Sequence, residues 1–205
     1  MSKIILIIGG ARSGKSSFAE LLANHSPDVT YIATAQIFDQ EMAERIAKHR
    51  LRRPNHWRLI EEPYDLERVL LSLSKDSGVV LLDCITLWLS NLILSALPQD
   101  NSDSDKDFSY LEPDLETKII GQVEKLIHLA VTINPQVIIV SNEVGSGIVP
   151  ANFLSRFYRD MAGRSNQLIA QAAEQVFMVV AGYPMEIKKS GQELLDRCRE
   201  NGGCP

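Results

Sequence analysis

Five apolar residues, Ile4–Ile8, run straight into Gly9-Gly10-Ala11-Arg12-Ser13-Gly14-Lys15-Ser16, and helical spacing begins immediately afterwards. A strand, a glycine-rich turn and a helix in this order satisfy G-x-x-x-x-G-K-[ST] in the context that gives the motif its meaning. The glycines let the backbone curl until successive N–H groups converge on phosphate oxygens, and the helix adds its positive end. Lys15 is placed to reach the β- and γ-phosphates of a nucleoside triphosphate, and Ser16 to ligate Mg2+. The rival dinucleotide pattern G-x-G-x-x-G fails, because Ala11 stands where its second glycine belongs.

The rest of the chain repeats the alternation that this turn begins. Short, nearly continuous β-branched runs at Ile4–Ile8, Val29–Ala33, Val79–Asp83, Val137–Ser141 and Val176–Ala181 read as strands buried on both faces. Helical spacing fills the intervals at Ser16–Asn24, Asp39–Leu51, Ile85–Leu97, Leu115–Ile133 and Phe153–Glu174. Strand and helix in alternation predict a parallel sheet with helices on both faces. His56–Ile60 is a candidate extra strand, and Met185–Lys188 another at the sheet edge. At 205 residues without a break in composition, one domain over residues 1–188 is expected, followed by a frayed, variable tail over 189–205. The polar, acidic stretch Pro98–Asp114 reads as a solvated loop. Its Asp103, Asp105 and Asp107 do not make a calcium loop, since Phe108 takes the place of the glycine that such a loop needs.

A triphosphate site of this type also needs an acid near the metal, at the end of an apolar strand. Asp83, which ends Gly78-Val79-Val80-Leu81-Leu82-Asp83, supplies it: in a parallel sheet the carboxyl ends of the strands share one edge. An aspartate there is equally able to cap a helix; beside the glycine-rich turn the metal role is the stronger reading. By the same edge argument Asn142 and Glu143 are candidates for substrate or metal contact, with a purely structural turn through Val144-Gly145-Ser146-Gly147 as the other reading.

The formal charge of −5 excludes a nucleic-acid binder working by bulk attraction, so any anion site must be local. One local cluster exists: Arg45, Lys48, Arg50, Arg52, Arg53 and Arg58 fall between Arg45 and Arg58 with no acid among them. His49 sits inside it. A neighbourhood of cations disfavours imidazolium, and neutral imidazole is the nucleophilic form. Taken from the residues alone, a solvated basic helix face is the simpler reading of this run. His25, beside a helix-ending turn, and His128, within an amphipathic segment, read as structural. The three cysteines, Cys84, Cys198 and Cys204, contain no C-x-x-C pair and indicate neither a disulfide framework nor a zinc site. No run approaches the length of a membrane span, so a cytoplasmic location without membrane insertion is expected.

Taken in order, Gly9–Ser16 as GGARSGKS, Tyr31-Ile32-Ala33-Thr34-Ala35, His49-Arg50-Leu51-Arg52-Arg53-Pro54 with Trp57 and Glu61, Leu82-Asp83-Cys84-Ile85-Thr86, Asn142-Glu143-Val144-Gly145-Ser146-Gly147-Ile148-Val149-Pro150 and Gly163-Arg164-Ser165-Asn166-Gln167 resemble the adenosylcobinamide kinase/adenosylcobinamide-phosphate guanylyltransferase family. The first motif is shared by many enzymes, whereas H-R-x-R-R-P and N-E-V-G-x-G-I-V-P in this order are far more specific. The resemblance implies an α/β P-loop NTPase fold of the RecA-like type. It implies ATP or GTP as phosphoryl donor to the aminopropanol hydroxyl of a corrinoid, then transfer of GMP from GTP through a guanylylated histidine, which His49 matches. The nucleotide contacts carried over are Gly9, Gly10, Ala11, Arg12, Ser13, Gly14, Lys15, Ser16, Ala33, Thr34, Ala35, Arg50, Leu51, Arg52, Arg53, Glu61 and Asp83. A homo-oligomer, a trimer, is implied as well. Because one reaction breaks the β–γ bond and the other the α–β bond on a single glycine-rich turn, either the triphosphate binds differently in each or the His49 helix moves between them, and a mobile helix is the favoured reading. The competing readings are a small-metabolite kinase with no covalent nucleotide, and a nucleotide-dependent switch ATPase.

Overall fold

The computed structural model describes residues 4–36, 40, 54–76, 78–97 and 112–200. Its elements run β1 (Ile4–Ile8), α1 (Lys15–Ala23), β2 (Val29–Ala33), β3 (Arg58–Glu61), α2 (Leu66–Ser72), β4 (Val79–Asp83), α3 (Ile85–Ala96), α4 (Glu112–Thr132), β5 (Gln136–Val140), α5 (Phe153–Ala172), β6 (Gln175–Val180), β7 (Tyr183–Glu186) and α6 (Lys188–Glu200). The strands form one sheet in the order β3-β2-β4-β5-β1-β6-β7. Every pairing is parallel except β6 with β7, so the edge strand expected near Met185 is present and antiparallel.

Residue alternation divides the interior into two layers. Ile4, Leu6, Ile32, Val80, Leu82, Val137 and Ile139 pack with α2, α3, α4 and α5 on one face. Ile5, Ile7, Val29, Tyr31, Val79, Leu81, Ile138 and Val140 pack with Ala19 and Ala23 of α1 on the other. Since the central strands are covered on both faces, both odd and even positions must be apolar, which is why these runs show no polar alternation. Each isoleucine or leucine taken fully from water contributes about 1.5–3 kcal/mol before chain entropy is charged against it.

Two elements differ from the sequence expectation. The short helix α2 carries Leu66, Val69 and Leu70 inward at helical spacing, and the Asp65 side chain accepts from the Arg68 N–H at 2.9 Å as its N-cap. A seven-residue helix holds too little periodicity to stand out from the surrounding loop, and its cap is the only local sign. The expected frayed tail is instead the helix α6 as far as Glu200. Lys188 anchors it by donating to the Ala170 and Gln171 carbonyls at 2.8 and 3.0 Å, and also contacts the Ala173 carbonyl. Its charged residues cover a helix surface rather than a coil. Glu112–Asp114 likewise belong to the first turn of α4, while residues 98–111, and with them Asp103, Asp105 and Asp107, lie outside the described residues. Cys84 is a buried free thiol, whereas Cys198 is disulfide-bonded, because spacing in sequence does not reveal which sulfurs a fold brings together. Among the described residues no helix is long and apolar enough to cross a membrane.

Candidate active site

The register aligns one row of residues across the carboxyl edge of the sheet. Glu61 pairs with Ala33, Ala33 with Asp83, Asp83 with Val140 and Val140 with Ile7. The glycine-rich turn begins two residues after Ile7 and Asn142 follows two residues after Val140. The structure therefore brings Gly9–Ser16, Ala33–Ala35, Glu61, Asp83 and Asn142 to a single edge, as the edge argument requires.

The turn is shaped by its neighbours. Gly9 has φ 154°, and a Cβ there would lie 2.4 Å from the Val179 carbonyl oxygen. Gly14 precedes α1 at φ 101°, where a side chain is strained. The Gly182 N–H donates to the Ser13 carbonyl at 2.8 Å, so the tight turn between β6 and β7 props the cradle from below. The Glu143 N–H donates to the Gly9 carbonyl at 2.9 Å and fixes its entrance. Lys15, only 7% exposed, donates from Nζ to the Gly10 carbonyl at 2.6 Å. Two features suit an anion. The buried Ser13 hydroxyl has no hydrogen-bond partner among the described residues, and a Cβ added to Gly10 would meet nothing within 4 Å. The turn thus has a spare donor and open space above it.

Asp83 stands two strands from β1. Tyr31 and Asp83 project to the same face, with Val79 and Leu81, and the buried Tyr31 phenol donates to Asp83 Oδ2 at 2.7 Å. Among the described residues no group of three or more His, Cys, Asp or Glu forms a metal cage. A hydroxyl at Ser16 and a carboxylate at Asp83, flanking a phosphate turn, instead fit a hard cation that takes oxygen from one or two protein groups and the rest from phosphate and water.

The end of β2 is fastened to the start of α3. The buried Thr34 hydroxyl donates to the Cys84 carbonyl at 2.8 Å and accepts from the Cys84 N–H at 2.9 Å, while the Thr34 N–H donates to the Asp83 carbonyl at 3.2 Å. Asn91, from within α3, donates to the Thr34 and Pro63 carbonyls at 2.8 and 3.0 Å. Ala33–Ala35 is held in place by these bonds. Glu61 lies four strands from β1, on the order of 19 Å at a strand spacing of about 4.8 Å. It is therefore out of reach of the phosphates in the cradle.

Beyond β5, Asn142 Nδ2 donates to the Thr86 hydroxyl at 2.7 Å, and Asn166 Nδ2 donates to the Asn142 carbonyl at 3.1 Å. Glu143 turns both carboxylate oxygens onto its own loop, accepting from the Gly145 and Ser146 N–H groups at 2.8 and 3.1 Å. Burial would raise its pKa, but the bonds from Ser146 and Gly145 outweigh that and hold it below the ordinary value. Both carboxylate oxygens of Glu143 thus serve its own turn. Burial pushes the Cys84 thiol up to about 11, reinforced by the Asp83 charge, and the Tyr158 phenol up to about 12, reinforced by Cys84. Both groups are neutral at physiological pH.

His49, Arg50, Leu51, Arg52 and Arg53 lie outside the described residues, as does most of the expected Asp39–Leu51 helix. His25 is structural, its Nδ1 lying 3.2 Å from the Leu21 carbonyl at the end of α1. Three participants gave no chemical signal in the sequence: Tyr31 beside Asp83, Thr86 beside Asn142, and the Val179–Gly182 turn under the cradle. Tyr31 and Thr86 stand inside recognisable motifs, but their contacts depend on strand order.

Residues 5–187 match the family model CobU, described as cobinamide kinase / cobinamide phosphate guanyltransferase. The chain is 46% identical over 184 residues to the bifunctional adenosylcobalamin biosynthesis protein CobP of Pseudomonas aeruginosa, covering 89% of this chain and 96% of the relative. It is 43% identical to the bifunctional adenosylcobalamin biosynthesis proteins CobU of Escherichia coli, over 186 residues, and of Salmonella typhimurium, over 185 residues; each alignment covers 90% of this chain and 99% of the relative. Among solved structures it resembles a prototypical ATPase from the type III secretion system of pathogenic bacteria, with a TM-score of 0.51 and 10% identity, over 96% of this chain and 62% of that one. At that identity the likeness concerns the fold alone.

Proposed function

This chain belongs to the cobinamide kinase / cobinamide phosphate guanyltransferase family, and from that premise we propose that it performs both reactions at the carboxyl edge described above. The single observation carrying the assignment is the match over residues 5–187, together with relatives aligned over nearly their whole length. In the kinase step, the aminopropanol hydroxyl oxygen of a cobinamide attacks the γ-phosphorus of ATP or GTP. A P–O bond forms, the β–γ bridging bond breaks with its electron pair passing to the β-phosphate, and the hydroxyl proton leaves. In the transfer step, a nitrogen of His49 attacks the α-phosphorus of GTP and pyrophosphate departs. The phosphate oxygen of cobinamide phosphate then takes the GMP, the P–N bond breaks and the histidine is restored.

The residues divide the work by position. Backbone amides of Gly9–Ser16 and the Lys15 ammonium bind the phosphates, while Ser16 and Asp83 would hold Mg2+. That cation would neutralise charge gathering on the phosphate oxygens. Glu61, too far along the edge for the phosphates, and Ala33–Ala35 beside it suit the ribose and base of GTP. Arg50, Leu51, Arg52 and Arg53, carried over from the family pattern, accompany His49 at the triphosphate. Asn142 faces the acceptor side, and Glu143 shapes the turn beside it. The same proposal takes residues 1–188 as one cytoplasmic enzyme domain. It also includes a homo-oligomer, a trimer, for which exposed apolar side chains at Tyr183, Met185 and Leu195 offer a surface to cover.

Incubation with α-labelled GTP tests the assignment. Protein-bound GMP that is labile to acid, stable to alkali and missing from His49→Ala is expected. Phosphorylated cobinamide without any labelled protein would instead mark a kinase lacking the covalent step.

A further inference from the structure

The strand order places β5 between β1, which feeds the phosphate cradle, and β4, which ends in Asp83. Whatever follows β5 consequently stands in the gap between cradle and acid. Beyond the buried Ser141, these are Asn142 and Glu143, and Glu143 is occupied with its own turn. Asn142 is half-buried and is gripped on three sides. Its side-chain amide donates to Thr86 Oγ1 at 2.7 Å, its carbonyl accepts from Asn166 at 3.1 Å, and the next N–H ties it to the Gly9 carbonyl at 2.9 Å.

Thr86 is the centre of the arrangement. It is fully buried in the first turn of α3, and besides accepting from Asn142 its hydroxyl lies 3.3 Å from Cys84 Sγ and shares a hydrogen bond with the Tyr158 phenol of α5. A hydroxyl so enclosed has little freedom to rotate away. With Nδ2 committed to Thr86, the Asn142 amide has its orientation fixed, and its oxygen carries no hydrogen bond among the described residues.

We propose that Thr86, backed by Tyr158, is a positioning residue that fixes the Asn142 amide between the phosphate cradle and Asp83, where its free oxygen orients the attacking hydroxyl of the acceptor in the γ-phosphoryl transfer. The inference rests on the kinase reading above. An amide oxygen accepts the hydrogen bond of an incoming alcohol and does not repel a neighbouring phosphate as a carboxylate would. Held within a fraction of an ångström by buried partners, it supplies orientation; released, it turns freely and loses that role. Guanylylation of the protein needs no alcohol in this gap, because its nucleophile is a histidine and its target is the α-phosphorus. The two half-reactions therefore separate the contribution of Thr86.

The test compares Thr86→Val, Thr86→Ser and Tyr158→Phe in the full-length protein, with thermal unfolding recorded for each. Steady-state phosphorylation of cobinamide gives kcat and KM, and single-turnover labelling with α-labelled GTP gives the guanylylated fraction. Thr86→Val is expected to lower kinase kcat about 10- to 100-fold, the usual effect of removing a partner that orients a reacting group. Its nucleotide KM and its labelled fraction should match wild type. Thr86→Ser should restore kcat to within about threefold, and Tyr158→Phe should lower kcat in the same sense but less. A Thr86→Val enzyme with wild-type kcat would overturn the proposal, as would equal loss of both half-reactions with normal unfolding. If Thr86→Val proves too unstable to assay, a Tyr158→Phe protein that phosphorylates cobinamide at the wild-type rate overturns it. Wild-type protein that forms neither product overturns the underlying kinase reading and the proposal together, a result distinct from all the others.

Discussion

The Tyr31 phenol, buried on β2, donates a 2.7 Å hydrogen bond to Oδ2 of Asp83 on the adjacent strand β4. One carboxylate oxygen is thereby tied to the phenol, which fixes the orientation of the carboxylate at the edge of the sheet. A bond to a charged acceptor of this type contributes about 1.5–3 kcal/mol. Tyr31→Phe keeps the ring and removes the phenol's bond to Asp83. We expect activity to require several-fold more Mg2+ for half-saturation, with little change at saturating metal. Titration of Mg2+ binding by calorimetry in the presence of a non-hydrolysable nucleotide checks it, and unchanged affinity would rule out the orienting role.

Gly9 has no room for a side chain. A Cβ would sit 2.4 Å from the Val179 carbonyl and 2.9 Å from Ser13 Oγ at φ 154°. The first obstacle is backbone and does not yield. Gly9→Ala should lose about 1–3 kcal/mol of stability from backbone strain and should release the cradle from the β6–β7 turn. Denaturant unfolding and nucleotide binding, measured on the same preparation, should fall together.

Asn91, 3% exposed, supplies both hydrogen bonds to the Thr34 and Pro63 carbonyls. Asn91→Ala leaves these two acceptors without that donor, at about 1–3 kcal/mol for each one left buried and unsatisfied. The expected outcome is a lower unfolding midpoint and weaker GTP binding, since Ala33–Ala35 loses its fastening. Retention of GTP affinity in a destabilised variant would separate the latch from the nucleotide site.

Glu143 gives a pH signature. Its folded pKa lies below the ordinary value of 4.5 because Ser146 and Gly145 outweigh the effect of burial. A depressed carboxyl pKa contributes stability that is fully present above 4.5 and disappears as pH falls through the folded value. The stability difference between wild type and Glu143→Gln should therefore be constant near neutrality and shrink on acidification below pH 4.5. A difference that grew toward low pH would contradict the assigned sign.

Much of this arrangement was legible in the sequence for a simple reason. A two-sided parallel sheet writes its strands as apolar runs, and β1, β2, β4, β5 and β6 were all found within a residue or so of their ends. The edge rule then placed Asp83, Asn142 and the cradle together before any strand order was known. Contacts that cross the sheet were not legible. That Tyr31 meets Asp83 requires β2 beside β4, and that Gly182 supports Ser13 requires β6 beside β1; neither adjacency follows from residue spacing. α2 escaped notice because seven residues contain barely two turns of periodicity. Thr86 lay inside a recognised motif without a role, since a threonine that opens a helix is ordinarily only a capping or propensity matter.

The neighbours of β1 have a consequence for how the protein is made. β1 pairs with β5 and β6, both synthesised more than 125 residues after it, and the turn holding Ser13 comes later still. Until Gly182 has emerged, the nascent chain lacks the floor of its own nucleotide cradle. Catalytic competence is thus a late event in translation, and a truncated product ending before that turn would be unable to sequester GTP.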